Sequence, residues 1–171
     1  VKMSFLKFCI ITFFLLLSSC SVNEEFNSVV VTRHYLASEI GANILKEGGN
    51  AFDSAIAVGF ALAVVNPSAG NLGGGGFTVY SKGDEIFAMD YREKAPILST
   101  ENMYLDDMGN VIEGFSLKSY LSSGIPGTVA GLISLHEREA SLPLKYLMKP
   151  AIELAEDGFR LSKFQSGYLN K

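Results

Sequence analysis

The run Ala51 to Val64 constrains this chain more than any other stretch, because it is apolar almost without a break and crowded with small residues: Ala55, Ala57, Gly59, Ala61 and Ala63. Asn50 is a good N-cap for a helix there, Asp53 puts a carboxylate in the first turn where the positive helix end favours it, and Pro67 closes the run. A helix apolar on nearly every side is a core helix, and its small side chains fit close burial against a sheet. The chain of 171 residues is long enough for one domain with a buried core, and 48% hydrophobic against 19% charged residues places it with globular rather than disordered proteins.

The flanking patterns supply both helices and strands. Leu36, Ile40 and Ile44 recur every four residues and predict a helix over Tyr35–Leu45, stopped by Gly48 and Gly49. Phe77–Ser81 and Glu85–Arg92 read as a β-hairpin turning at Lys82-Gly83-Asp84. Along its second strand Ile86, Ala88, Asp90 and Arg92 point one way and Phe87, Met89 and Tyr91 the other. Pro96 ends the run, and Asp106 to Asn110 forms an exposed turn. Pro126 opens a helix reaching about Glu139, and Leu144–Glu156 forms another before Gly158. The fold class is therefore mixed, α/β (α+β), with no internal repeat.

The first segment reads as an address. Phe5 to Leu17 is a short apolar run with Lys2 and Lys7 near its start, followed by Ser18, Ser19 and Cys20. Roughly 20 apolar residues are needed to span a bilayer as a helix, so a cleaved secretion signal over residues 1–19 is the better reading. Leu17-Ser18-Ser19-Cys20 resembles the bacterial lipobox, which implies acylation of Cys20 and a polar tether over residues 20–28, leaving 29–171 as the folded part. Cys9 would leave with the signal, so no disulfide or thiolate chemistry follows. The net charge of -4 and the lack of a basic run argue against a nucleic-acid partner.

Familiar catalytic patterns are absent. Gly70 to Gly76 lacks the Gly-Lys-Ser/Thr of a phosphate loop and leads into a strand, so its glycines are read as letting a strand cross close under a buried helix. No Gly-x-Ser-x-Gly occurs, and His136-Glu137-Arg138-Glu139-Ala140 lacks the second histidine of a zinc motif. His34 and His136 are read as surface or helix-end residues. Arg92 stands out, since an arginine at a strand end can offer its planar fork to a carboxylate at a cleft edge. The residues alone leave that role level with a structural pair to Asp90 or Glu93.

Four blocks carry a wider likeness: Gly48-Gly49-Asn50-Ala51-Phe52-Asp53-Ser54-Ala55, Asn66-Pro67 to Gly76-Phe77, Asp90-Tyr91-Arg92-Glu93-Lys94-Ala95-Pro96, and Ser123-Gly124-Ile125-Pro126-Gly127-Thr128-Val129-Ala130-Gly131. In order and spacing they resemble the start of the gamma-glutamyltransferase (glutathione hydrolase) family, from about Val29 onward. The resemblance implies the N-terminal part of an N-terminal nucleophile hydrolase fold, a four-layer αββα sandwich. It also implies a precursor that cleaves itself before a threonine, whose hydroxyl then attacks a gamma-glutamyl amide. That threonine lies several hundred residues into the family's precursor, so no catalytic residue is expected among these 171. Gly127-Thr128 mimics a cleavable pair but falls in a block that is structural in the family.

By the same resemblance Arg92 matches the arginine that grips the donor's α-carboxylate, with Glu93 beside it. The expected partners are glutathione and other gamma-glutamyl compounds, acceptor amino acids or peptides, and the small subunit cut from the same precursor. The membrane is a further partner, reached through the lipid anchor on the periplasmic side of a bacterial envelope. Neither metal nor organic cofactor is implied. Two alternatives stay open: an amide acylase of the same fold, acting on a beta-lactam side chain or similar amide, and a non-catalytic lipid-anchored protein. Asp90-Tyr91-Arg92 favours the gamma-glutamyl reading, because a free α-carboxylate needs such an arginine.

Overall fold

The computed structural model describes residues 28–170, so the expected signal segment and Cys20 lie outside the described residues. In chain order the elements are α1 (Tyr35–Lys46), α2 (Ala51–Val65), β1 (Phe77–Lys82), β2 (Glu85–Asp90), α3 (Phe115–Lys118), a 3-10 turn at Tyr120–Ser122, α4 (Thr128–Glu139), α5 (Leu144–Asp157) and α6 (Lys163–Leu169).

Helix α2 is the core helix that its composition predicts, though its neighbours differ from expectation. It packs mainly against α1, α4 and α5, and meets the hairpin chiefly where Phe52 stands edge-on to Tyr80, with ring centroids 5.0 Å apart. Glycines on α1 and α2 serve helix–helix approach instead of helix–sheet approach, while Ala55 of α2 is exposed. A methyl group at Gly59 would lie 3.0 Å from Leu132 of α4, and one at Gly41 of α1 would lie 2.7 Å from Val58. Ile56, Ala57, Ala61 and Val65 are wholly buried. Each large apolar side chain removed from water in this way contributes roughly 1.5–3 kcal/mol.

The start of α2 is tied down by one carboxylate. Asn50 accepts from the N–H groups of Phe52 and Asp53, while Asp53 accepts from the Asn50 N–H at 2.8 Å, a reciprocal capping box. The same carboxylate also reaches 88 residues along the chain, taking the Ser141 hydroxyl at 2.5 Å and the backbone N–H groups of Ser141 and Leu142 at 3.0 Å. Burial alone would push the Asp53 carboxyl up. The bonds from Ser141, Asn50 and Leu142 outweigh it and hold the group below its ordinary value.

β1 and β2 pair antiparallel from Phe77↔Asp90 to Lys82↔Glu85. Lys82 belongs to the strand, not the turn, because the two-residue loop needs only Gly83, at φ +60°, and Asp84. One face of the hairpin turns to the helices. There Tyr80 stacks on Phe87 at 5.1 Å, and Tyr80 and Lys82 both donate to Glu139 at the end of α4, at 3.2 and 2.8 Å. The Lys82 ammonium holds the Glu139 carboxyl below its ordinary value, and Glu139 in turn raises Lys82. Phe77, Val79 and Ile86 stand on the other face and are exposed.

The remaining elements follow the sequence with small shifts. Helix α4 begins at Thr128, two residues after the expected Pro126, because Ile125 is held extended by a bridge to Lys94. Helix α5 runs through Pro150 and stops at Gly158, whose φ of +77° suits glycine. Asp106 accepts from the N–H groups of Met108 and Asn110, making the exposed turn expected there. His34 caps α1 through Nδ1 and is nearly buried, while His136 bonds the Leu142 carbonyl, so both are helix-end residues. No helix among the described residues is long and apolar enough to cross a membrane.

Candidate functional site at the end of the second strand

Arg92 lies two residues past the end of β2, and its backbone is fixed on both sides. Before it, Tyr91 and Gly76 exchange backbone hydrogen bonds of 3.0 and 3.4 Å, extending the ladder one step beyond the strands. After it, Lys94 and Ile125 exchange two more, of 3.1 and 2.7 Å. The Arg92 N–H itself donates to Asp90 Oδ1 at 2.9 Å.

The Arg92 side chain points away from all of this. It is exposed, with its guanidinium carbon 5.9 Å from the centre of the Phe77 ring on the outer face of the hairpin. None of the ion pairs among the described residues involves it. Asp90, one of the two acids that could have formed a structural pair with the guanidinium, is engaged with the backbone N–H of Arg92. Chemically, a guanidinium so placed offers a planar set of donors to an incoming anion.

The glycine run supports this edge. Methyl groups at Gly75 and Gly124 would lie 2.7 Å from Arg92 Cα and 2.9 Å from Glu93 Cβ respectively, so the strand end can lie this close only against glycine. The run does pass close beneath a helix as expected, but the helix is chiefly the start of α4: the Gly74 carbonyl accepts from the N–H groups of Gly127 and Thr128 at 2.8 and 3.0 Å. Those amides would have to be free for an anion to sit there, and they are taken. Thr128 is thus the first residue of a capped helix, in keeping with a structural block.

Two residues of consequence escaped the sequence reading. Asp53 was expected only as a helix-start charge, and its ties to Ser141 and Leu142 carry no local signal. Tyr91 was expected only to face away from Arg92, and the glycines packed against it, Gly75, Gly76, Gly127 and Gly131, come from two distant stretches of the sequence. No cluster of three or more potential metal ligands occurs among the described residues. Two grooves lie elsewhere, one between α1 and α5 and one bordered by residues 28–32 and α2.

The fold is that of the N-terminal nucleophile hydrolases, shared with the solved gamma-glutamyltranspeptidases. The family model for gamma-glutamyltranspeptidase matches residues 37–171, and the chain belongs to that family. The glutathione hydrolase proenzyme of Pseudomonas sp. (strain A14) is 50% identical over 148 residues, which is 85% of this chain and 25% of that protein. The glutathione hydrolase proenzyme of Escherichia coli (strain K12) is 52% identical over 124 residues, 72% of this chain and 21% of that one. Among solved structures, gamma-glutamyltranspeptidase from Helicobacter pylori superposes with a TM-score of 0.79 at 49% identity, covering 84% of this chain and 41% of that one. The chain therefore spans a quarter or less of the curated relatives' length.

Proposed function

We propose that this chain is the N-terminal part of a gamma-glutamyltransferase precursor that cleaves gamma-glutamyl amides such as glutathione and passes the gamma-glutamyl group to water, amino acids or peptides. The nucleophile is a threonine outside these residues, freed at the start of a small subunit by self-cleavage. Its α-amino group would take the proton from its own hydroxyl as the hydroxyl attacks the amide carbonyl. Within this chain, Arg92 grips the α-carboxylate of the donor. The observation that carries the reading is the exposed guanidinium, with no ion pair among the described residues, rooted on a backbone held at Gly76, Asp90 and Ile125.

The test is a donor comparison with the full-length protein. A gamma-glutamyl anilide is expected to react much faster than the glutaryl anilide, which keeps the terminal carboxylate and lacks only the α-amino group. Preference for the glutaryl donor would favour an acylase, and no turnover of either would favour a non-catalytic protein.

The residues before the folded part support a second element of the proposal, a lipid anchor at Cys20 on the periplasmic side of the envelope. Substituting Cys20→Ala should stop incorporation of labelled fatty acid and leave the globular part unchanged. Continued labelling of the variant would exclude the anchor.

A further inference from the structure

A guanidinium on a long, flexible stem binds well only if its root is held in place, since otherwise ordering the side chain consumes part of the binding energy. The residue next to Arg92 meets that need in an unusual way. Tyr91 turns its ring toward α4, into a slot walled by glycines from two distant parts of the chain. A methyl group at Gly131, inside α4, would lie 2.3 Å from Tyr91 Cγ, and one at Gly76 would lie 2.9 Å from Cε2. At Gly127 it would lie 1.9 Å from the Tyr91 carbonyl oxygen.

Glycine inside a helix is less stable than alanine, so Gly131 is a local disadvantage that the tyrosine ring explains. The far end of the ring is held too. The Tyr91 hydroxyl donates to the Phe77 carbonyl at 3.3 Å and accepts from the Thr78 hydroxyl at 3.2 Å. Phe77 is the residue whose ring lies beside the Arg92 guanidinium. Tyr91 therefore holds both the root of the arginine and the residue that flanks its tip.

We propose that Tyr91, its ring seated in the slot formed by Gly76 and Gly131 and its carbonyl packed against Gly127, is the positioning residue for Arg92 and sets how strongly the enzyme favours donors bearing a free α-carboxylate. The inference rests on the carboxylate-gripping reading of Arg92. It makes Tyr91 matter for one substrate group that it never touches.

The experiment measures kcat and KM in the full-length protein for two donors, a gamma-glutamyl anilide and the 4-aminobutanoyl anilide, which lacks only the carboxylate. Tyr91→Ala empties the slot, and Gly131→Ala drives the ring out of it. Both are expected to raise KM for the gamma-glutamyl donor by about tenfold or more and to shrink its advantage over the other donor by a similar factor. The 4-aminobutanoyl kinetics of the folded fraction should change little. Tyr91→Phe, which still fills the slot but loses the hydroxyl's bonds to Phe77 and Thr78, should keep most of the wild-type preference and lose far less of it than Tyr91→Ala.

If both donors decline together and their ratio stays at the wild-type value, Tyr91 is only structural and the inference is overturned. Should Tyr91→Ala not fold, Tyr91→Leu takes its place under the same criterion. Arg92→Lys run alongside separates the two levels. A collapsed ratio in Arg92→Lys with an intact ratio in the Tyr91 and Gly131 variants would overturn the positioning role alone, whereas an intact ratio in all of them would overturn the carboxylate reading itself.

Discussion

The start of α2 and the end of β2 are both crowded with hydrogen bonds, yet they use them for opposite ends. At α2 four of the bonds converge on one side chain, the wholly buried Asp53, which ties Asn50 to Ser141 and Leu142. At β2 the bonds go to backbone atoms of Tyr91, Arg92 and Lys94, and the Arg92 side chain is left exposed. The first arrangement joins distant segments of the fold. The second fixes a platform and presents a charge from it, so stability and binding should respond to different substitutions.

The largest expected effect is on the helical side. Removing one partner of a buried hydrogen bond costs roughly 1–3 kcal/mol for each group left unsatisfied, and Asp53→Ala strands the Asn50, Ser141 and Leu142 N–H groups at once. Thermal melting of the variant should show a large loss of stability, comparable to that of Ile56→Ala, for which removing a fully buried side chain costs roughly 2–5 kcal/mol. Normal melting of Asp53→Ala would mean that the two regions are not divided as described.

Acid provides a graded form of the same test. The Asp53 carboxyl lies below its ordinary value of 3.8 in the folded protein, so its contribution is fully present above that pH and is lost as pH falls through the lower, folded value. Melting curves should therefore lose stability below about pH 4, and Asp53→Asn, already destabilised, should show a flatter profile there. An unchanged slope in the variant would assign the acid sensitivity to other groups.

The smallest effect is expected at the hairpin, where Lys82 bonds Glu139 from a largely exposed position. Such pairs contribute little and are screened by salt, so Lys82→Ala should shift the melting temperature only slightly, and less at high ionic strength. A large, salt-independent shift would show that the hairpin's attachment to α4 carries more of the stability than its exposure implies.

The same contrast explains what could be read from the sequence. The Asn50 cap, the Gly83 turn and the stops at Gly48 and Gly158 follow from residues within a few positions of each other, and these features form where their local signals place them. Arg92 at a strand end was legible because side chains alternate along β2. What was not legible depends on contacts across the fold: the tie from Asp53 to Ser141, the packing of α2 against helices, and the Tyr91 slot. The delayed start of α4 is of this kind, since Pro126 would permit a helix and only the pairing of Ile125 with Lys94 postpones it.

The central claim is that the β2 edge binds and the α2 start stabilises, and Arg92→Lys in the full-length, correctly cleaved protein tests it most directly. Lysine keeps the charge but replaces a planar fork with a single point. Charge-assisted hydrogen bonds contribute about 1.5–3 kcal/mol each, so losing one or two should lower kcat/KM on a gamma-glutamyl donor by roughly tenfold to about ten-thousandfold with the melting temperature unchanged. Near-normal kcat/KM accompanied by a lowered melting temperature would contradict the account and make Arg92 a structural residue.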